Sequence, residues 1–207
     1  MRPSRAGSVS LSRDVFAALT RVGYRGDMVK VRWARVEDAA GVAEVHVDAW
    51  RSAYAGLIDQ AILDGLDFER RTAMWTGFIM QSLQGLPPKG SDEPAHRLLV
   101  AEDDGRIVGW AGFGPGRDDG QSHRGELAGL YAHPSVWSHG VGHALVSRVD
   151  DELRDNGFAD AYLWVLDGNQ RAIRFYESHG WLADGGEKYG DAGGATGLHE
   201  LRHVRAL

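Results

Sequence analysis

Cysteine is absent from the 207 residues, so the chain has no disulfide framework, no thiolate metal site and no thiol nucleophile. Any covalent catalysis must use another side chain. Proline is scarce, with six residues in all, three of which (Pro87, Pro88 and Pro94) fall in one short stretch. No apolar run approaches the roughly 18 residues needed to cross a bilayer as a helix. The expectation is therefore a soluble, cytoplasmic protein with no membrane partner. Basic residues are in the minority, 23 Lys and Arg against 29 Asp and Glu, for a net charge of -6 and a pI near 5.8. Nucleic acid is excluded as the main partner, because phosphate neutralisation needs a concentrated basic face. A cationic ligand such as an amine is tolerated better. There is no internal repeat, and the length suits one ordinary domain that buries roughly two thirds of its unfolded surface.

Residues 1–28 carry Arg2, Arg5, Arg13, Arg21 and Arg25 with several serines and only Asp14 and Asp27 as acids. Three readings stay open: an organelle transit peptide, a flexible or docked arm, and a translation start at Met28. The domain proper spans 29–207. Residues 29–34 alternate as a strand does, and Val36-Glu-Asp opens a helix with acids in its first turn, with Val42, Val45 and Ala49 on its buried face. His46, Trp50 and Tyr54, spaced by four, form a neighbouring stripe that suits either core packing or substrate contact. Asp67 is the expected N-cap of a second helix through Arg70, Met74 and Phe78. A loop over 85–94 precedes a hairpin of residues 98–102 and 107–113 around Asp103-Asp-Gly. A strand starting at Glu126 and a helix after Gly140 follow, with Gly142, Leu145, Val146, Val149 and Leu153 on one face and Ser147, Asp150, Asp151 and Arg154 opposite. A nearly all-apolar strand over 161–166 then implies a parallel crossover. A helix over about 169–179 places Asn169, Ala172 and Tyr176 on one face. Two weak strands, 181–183 and 198–204, flank a loop with six glycines over 185–197.

The stretch over 126–145 is the most informative. It reads as strand, tight turn and helix, with Gly140 and Gly142 at the turn. The first N–H groups of a helix have no internal partner and carry the positive end of its dipole, so a phosphate docks there and glycine admits it closely. A phosphate-bearing cofactor follows. No Gly-x-x-x-x-Gly-Lys-Ser/Thr exists for a nucleoside triphosphate, and a dinucleotide site lacks its third glycine. His139 and His143 stand at i and i+4, but no Glu follows His139 and no third ligand is evident, so no metal is expected.

Trp137-Ser-His-Gly140-Val-Gly142, the preceding Glu126-Leu-Ala-Gly-Leu-Tyr-Ala, and residues 163–181 (Leu-Trp-Val-Leu-Asp-Gly-Asn-Gln-Arg-Ala-Ile-Arg-Phe-Tyr-Glu-Ser-His-Gly-Trp) together resemble the GCN5-related N-acetyltransferases. The opening Val31-Arg-Trp-Ala-Arg-Val-Glu-Asp-Ala and the closing Glu200-Leu-Arg fit as well. The departure is Trp137, where the family motif has Gln or Arg. The resemblance implies an α/β fold with a mixed central sheet of six to seven strands, helices on both faces and a splay between strands 4 and 5.

It further implies acetyl-CoA as co-substrate. The pyrophosphate would lie on the amides of residues 138–144, that is Ser138, His139, Gly140, Val141, Gly142, His143 and Ala144, beside Trp137. The pantetheine would pair with the backbone of Leu130, Tyr131 and Ala132 and meet Asn169, Ala172 and Phe175. Direct attack needs a neutral amine, and deprotonating a Lys-like amine at pH 7 costs roughly 4–5 kcal/mol, so a general base is useful. Glu126 is the candidate base, against an alternative as a salt-bridged carboxylate. Tyr176 matches the family's general acid. A phenol near 10 and a thiol near 8.5 make full proton transfer uphill by about 2 kcal/mol, so hydrogen bonding to the departing thiolate is the milder role. Trp50 and Tyr54 are candidate substrate contacts, and residues 50–59 and 185–197 are placed to wall off a small pocket. The leading expectation is acetylation of a primary amine on a small molecule. A protein N-terminus or lysine as acceptor, and a non-catalytic acyl-CoA sensor, are the alternatives. A homodimer is expected only by family habit.

Overall fold

A computed structural model describes residues 29–87 and 94–207. The readings of residues 1–28, and the tip of the proline-containing loop, lie outside the described residues. The elements run β1 (Lys30–Trp33), a 3-10 turn (Val36–Asp38), α1 (Ala39–Ala53), α2 (Gln60–Asp64), α3 (Phe68–Leu83), β2 (Arg97–Asp103), β3 (Arg106–Pro115), β4 (Gly125–Ala132), a 3-10 turn (Pro134–Val136), α4 (Val141–Asp155), β5 (Asp160–Leu166), α5 (Gln170–Ser178), β6 (Leu182–Ala192) and β7 (Ala195–Ala206). The seven strands form one sheet in the order β1-β2-β3-β4-β5-β7-β6. Only β4 and β5 are parallel; every other pair is antiparallel.

Strand periodicity explains the two layers. Side chains alternate between faces, so Leu99 and Ala101 of β2 enter the core under α4 and α5, while Leu98 and Val100 enter the one under α1 and α3. Val141, Leu145, Val146, Val149 and Leu153 of α4 are all buried to 1% exposure or less. Each contributes roughly 1.5–3 kcal/mol by leaving water. Gly109 lets α4 approach β3, since a Cβ there would lie 2.9 Å from Val141 Cγ1 and 3.0 Å from Leu145 Cδ1. The start of α4 is thereby held beside β4.

β4 pairs with β5 only at Gly125↔Ala161 and Glu126↔Tyr162. Immediately beyond, the β3 register passes from Phe113↔Leu127 to Gly112↔Gly129, which leaves Ala128 as an extra residue in β4. Such a bulge bends its strand, and here it falls where β4 parts from β5. The expected splay is present.

Three local expectations are corrected. The glycine-rich segment read as a loop over 185–197 belongs to a long β6–β7 ribbon that turns at Gly193 and Gly194, both at positive φ. Glycine has poor strand propensity, but main-chain pairing and cross-strand contacts such as Tyr189 stacked on His199 at 4.9 Å hold the ribbon. The short helix α2 was not anticipated; five residues carry too little periodicity to read, although Asp59 caps it by accepting from the Ala61 N–H at 2.9 Å. Asp150, placed on the solvent side of α4, is only 5% exposed and meets Arg205 of β7 at 3.2 Å. That face is covered by a strand the sequence shows only weakly.

The entry to α1 is held by charge. Asp38 accepts from Arg32 at 2.7 and 2.8 Å and from the Arg35 N–H at 2.7 Å, and Arg32 also reaches Glu102 of β2 at 2.7 Å. Burial alone would raise the Asp38 pKa, but the Arg32 guanidinium and the Arg35 amide outweigh it and hold it below the ordinary carboxylate value. Asp38→Asn should therefore lower unfolding free energy by about 2–3 kcal/mol at pH 7. A depressed folded pKa gives stability that is present above the unfolded value near 4 and lost as pH falls through the folded one. Denaturant titrations should show native and variant converging below about pH 4.

Candidate active site

One cavity of about 1090 Å³ reaches from the N-terminus of α4, along the splay, to a wall made by α1, α3 and the β6–β7 ribbon. At its α4 end the chain makes a left-handed turn, Ser138 at φ 63 and Gly140 at φ 86. The Ala144 N–H bonds Gly140 O at 2.9 Å and the His139 N–H bonds Val136 O at 3.2 Å, so those two amides are not available to a phosphate. Ser138, Gly140, Val141, Gly142 and His143 keep theirs. Val141 has only its main chain to offer a ligand, since its side chain lies in the core.

The two glycines have different tasks. Space beside Gly140 is open, whereas a Cβ on Gly142 would lie 3.0 Å from the Phe175 ring. Gly142 thus lets α5 lie close to α4, and Phe175 packs there. At the position where the motif has Gln or Arg, Trp137 donates its indole N–H to Ala132 O at 2.8 Å, and the Arg171 guanidinium lies 3.2 Å from its ring centroid. A cation therefore stands beside the turn, supplied from α5. His143 Nδ1 and His179 Nε2 are 3.0 Å apart.

Along β4 the main chain alternates in direction. The His133 N–H bonds Val108 O on β3 at 2.9 Å, so the Tyr131 main chain points the same way, and Leu130 and Ala132 face the open edge. Of the three residues expected to pair with a pantetheine, Tyr131 is turned away by strand geometry. The Ala132 carbonyl is taken by Trp137. Asn169 is the N-cap of α5, accepting from the Ala172 N–H at 3.2 Å, which leaves its NH₂ group for a ligand.

The middle of the cavity is aromatic. The Tyr54 and Tyr131 hydroxyls are 2.9 Å apart, His46 stacks parallel to Tyr131, and Trp50 meets Tyr54 edge-on at 5.1 Å. The His46, Trp50 and Tyr54 stripe is thus core packing and cavity wall together. Trp75 donates its indole N–H to His46 Nδ1 at 3.2 Å, and burial, with Arg71 nearby, lowers the imidazole pKa to about 3, so His46 is neutral. Tyr176 is 8% exposed and lines the cavity, its hydroxyl without a hydrogen-bond partner among the described residues. Burial pushes its pKa up, so it carries its proton.

Glu126 and Tyr176 both line the cavity, yet Glu126 is closely held. Arg117 grips it at 2.7 and 3.0 Å and donates a main-chain N–H at 2.9 Å, and His96 lies 3.8 Å away. Burial would raise its pKa, but Arg117 and then His96 carry it below the usual carboxylate range. Such a group is a weak base. Sequence reasoning missed Glu200 on β7, which also lines the cavity. Burial raises its pKa, only partly offset by Lys188 at 3.9 Å, and its charge is felt by both Tyr54 and Tyr131. Its closeness to the aromatic centre depends on the ribbon, which the glycines concealed. Elsewhere, Glu44, Asp48 and His133 bring ligand atoms within 4.8 Å of one another, but Arg106 engages Glu44 at 2.6 Å and His133 engages Asp48 at 3.1 Å.

An open helix N-terminus beside a splayed parallel strand pair, opening onto a buried tyrosine, suits an extended ligand that carries phosphate at one end. Residues 67–181 match the family described as "Acetyltransferase (GNAT) family". The uncharacterized N-acetyltransferase YuaI of Bacillus subtilis is 32% identical over 153 residues, 73% of this chain and 79% of its own. The L-amino acid N-acyltransferase MnaT of Escherichia coli is 32% identical over 155 residues, 74% and 80%. The PaiA N-acetyltransferase of Thermoplasma acidophilum, solved with coenzyme A, superposes with a TM-score of 0.68 at 18% identity, over 87% of this chain and 99% of its own. The chain belongs to the GNAT family of acetyltransferases and is an acetyl-CoA-dependent acyltransferase. No helix of the described residues is long and apolar enough to cross a membrane.

The ion pair generates a prediction. Glu126→Gln removes the buried charge that Arg117 grips and should cost about 2–3 kcal/mol, discounted because Arg117 is part-exposed. Thermal unfolding at pH 7 should fall by roughly 4–12 °C. The acid limb of the pH–rate profile should stay in place; its disappearance would restore Glu126 as the base.

Proposed function

We propose that the enzyme moves the acetyl group of acetyl-CoA to the primary amine of a small molecule by direct attack. The observation that carries the reading is one continuous cavity, which joins the free amides of α4 to the open edge of β4 and ends at a wall of α1, α3 and the ribbon. Gly190 to Gly193 of the ribbon line that wall, and Gly193 sits so close to Trp50 that a Cβ would meet the indole at 2.3 Å. A wall drawn in against Trp50 in this way suits a compact acceptor better than an extended peptide. The relative named as an L-amino acid N-acyltransferase supports the same class.

In this reading Ser138, Gly140, Val141, Gly142 and His143 hold the pyrophosphate through their amides, with Arg171 adding charge in place of the missing motif residue. Leu130 N–H and C=O, Ala132 N–H and the Asn169 NH₂ serve the pantetheine. Ala172 and Phe175 pack beside it. The acceptor nitrogen attacks the thioester carbonyl, and an N–H of the open β4 edge stabilises the oxyanion. The C–S bond breaks as the amide forms, and Tyr176 donates a hydrogen bond to the departing thiolate. Glu200, rather than the tightly paired Glu126, accepts the proton of the amine, because a raised pKa makes a better base at neutral pH. Trp50 and Tyr54 shape the acceptor pocket.

An amine panel with acetyl-CoA, read as CoA release and as product mass, tests the reading; acetyl-CoA binding without turnover of any amine would reduce the protein to a sensor. Tyr176→Phe should lower kcat about 10- to 100-fold while leaving acetyl-CoA affinity unchanged. For Glu200 the pH profile decides. The native rate should rise through a pKa above the ordinary carboxylate value and then flatten. In Glu200→Gln that limb should vanish, leaving a rate that climbs about tenfold per pH unit as free amine accumulates. An unchanged profile assigns Glu200 to structure.

A further inference from the structure

Five cationic side chains other than histidines line the cavity, and three of them have an evident partner. Arg117 is bound to Glu126, and Lys188 stands between Asp118 at 3.7 Å and Glu200 at 3.9 Å. Arg171 lies over Trp137, and Arg174 is on the same helix, α5, which borders the donor end. The fifth is Arg71 of α3. It lies at the opposite end, with its guanidinium 6.0 Å from the Trp50 centroid and Nη1 3.6 Å from Met74 Sδ. No carboxylate among the described residues pairs with it.

We infer that Arg71 anchors a carboxylate of the acceptor, which makes the acceptor an amine bearing a carboxylate, an α-amino acid or a close analogue. The inference rests on the acetyl-transfer reading of the cavity. A guanidinium taken partly out of water without a counter-ion is costly, and its rigid fork of donors matches a carboxylate in two parallel bonds. Burial, and then the charge of Arg70, pull the Arg71 pKa down, which is the state a bound carboxylate would relieve. A cation–π contact at 6.0 Å sits at the limit of that interaction and does not replace an anion. The surroundings fit the remainder of such a molecule. Trp50, Trp75 and Trp110 offer apolar wall for a side chain, and Glu200 offers the negative charge an ammonium group seeks before it is deprotonated.

The test uses calorimetric binding to the full chain in the presence of CoA, with the twenty L-amino acids and their primary amides as probes, alongside acetyl transfer. At least one amino acid should bind at least about tenfold more tightly than its amide, the fold-change a charge-assisted hydrogen bond supports. Arg71→Gln should abolish that preference and raise KM for the acid alone, Arg71→Lys should restore part of it, and neither should change acetyl-CoA affinity. Equal binding of acids and amides, a preference that survives Arg71→Gln, or no binding of any amino acid by a protein that binds acetyl-CoA would each overturn the inference. A carboxylate preference without acetyl transfer to any amine would instead overturn the reading of the reaction and leave the anchor standing.

Discussion

Main-chain hydrogen bonding is the constraint on which the site depends. β4 is a central strand, yet after Glu126 it has a neighbour on one side only. A row of N–H and C=O groups inside a protein must be satisfied, and those of Leu130 and Ala132 are met by neither β3 nor β5. The molecule answers in part with its own indole, Trp137 on the Ala132 carbonyl. The rest is what an extended, amide-rich ligand can satisfy by lying as a substitute strand. The opening is built into the sheet by the extra residue at Ala128, so it does not depend on a moving loop.

Around that opening the other features fall into two halves. On one side Gly140 sets the left-handed turn, and Gly142 gives up its side chain so that Phe175 can bring α5 against α4. Two helix starts then face one end of the cavity, with arginines from the second. On the other side aromatic rings from α1, α3, β3 and β4 form a wall in which His46 stays neutral and the tyrosines keep their protons. Charge at the acceptor end is confined to a few groups. Glu126 and Arg117 largely cancel one another, which leaves Glu200, with Lys188 near it, and Arg71 among the charged groups a small molecule would meet.

Much of this was legible in the residues themselves. Asp67 read as an N-cap because a short acceptor side chain precedes a helical pattern, and it does cap α3; the helix read from about Asn169 starts there, with Asn169 as its cap. The Asp103-Asp-Gly turn read as a hairpin because Asp104 and Gly105 tolerate positive φ, and both adopt it. What escaped reading depended on partners distant in sequence. Nothing near Glu126 announces that Arg117, nine residues earlier in a glycine-rich loop, will close on it. Asp150 reads as surface until β7 brings Arg205 over it. The strand content of the stretch 185–197, read as a loop between two weak strands, is hidden because pairing between backbones leaves no signature in side chains that are mostly exposed or glycine. Arg71 looks like any helix arginine until its lack of a counter-ion is seen.

The β6–β7 ribbon has a consequence for how such an enzyme diversifies. Its turn touches Trp50 and borders the acceptor pocket, yet most of its β6 side chains are exposed and contribute little to the core. Replacements there can reshape what the pocket admits at small expense in stability. The donor half, by contrast, is made largely of main chain and close helix contacts, which side-chain replacement alters less. Selection can therefore retune the acceptor end while the main-chain frame of the donor end is kept.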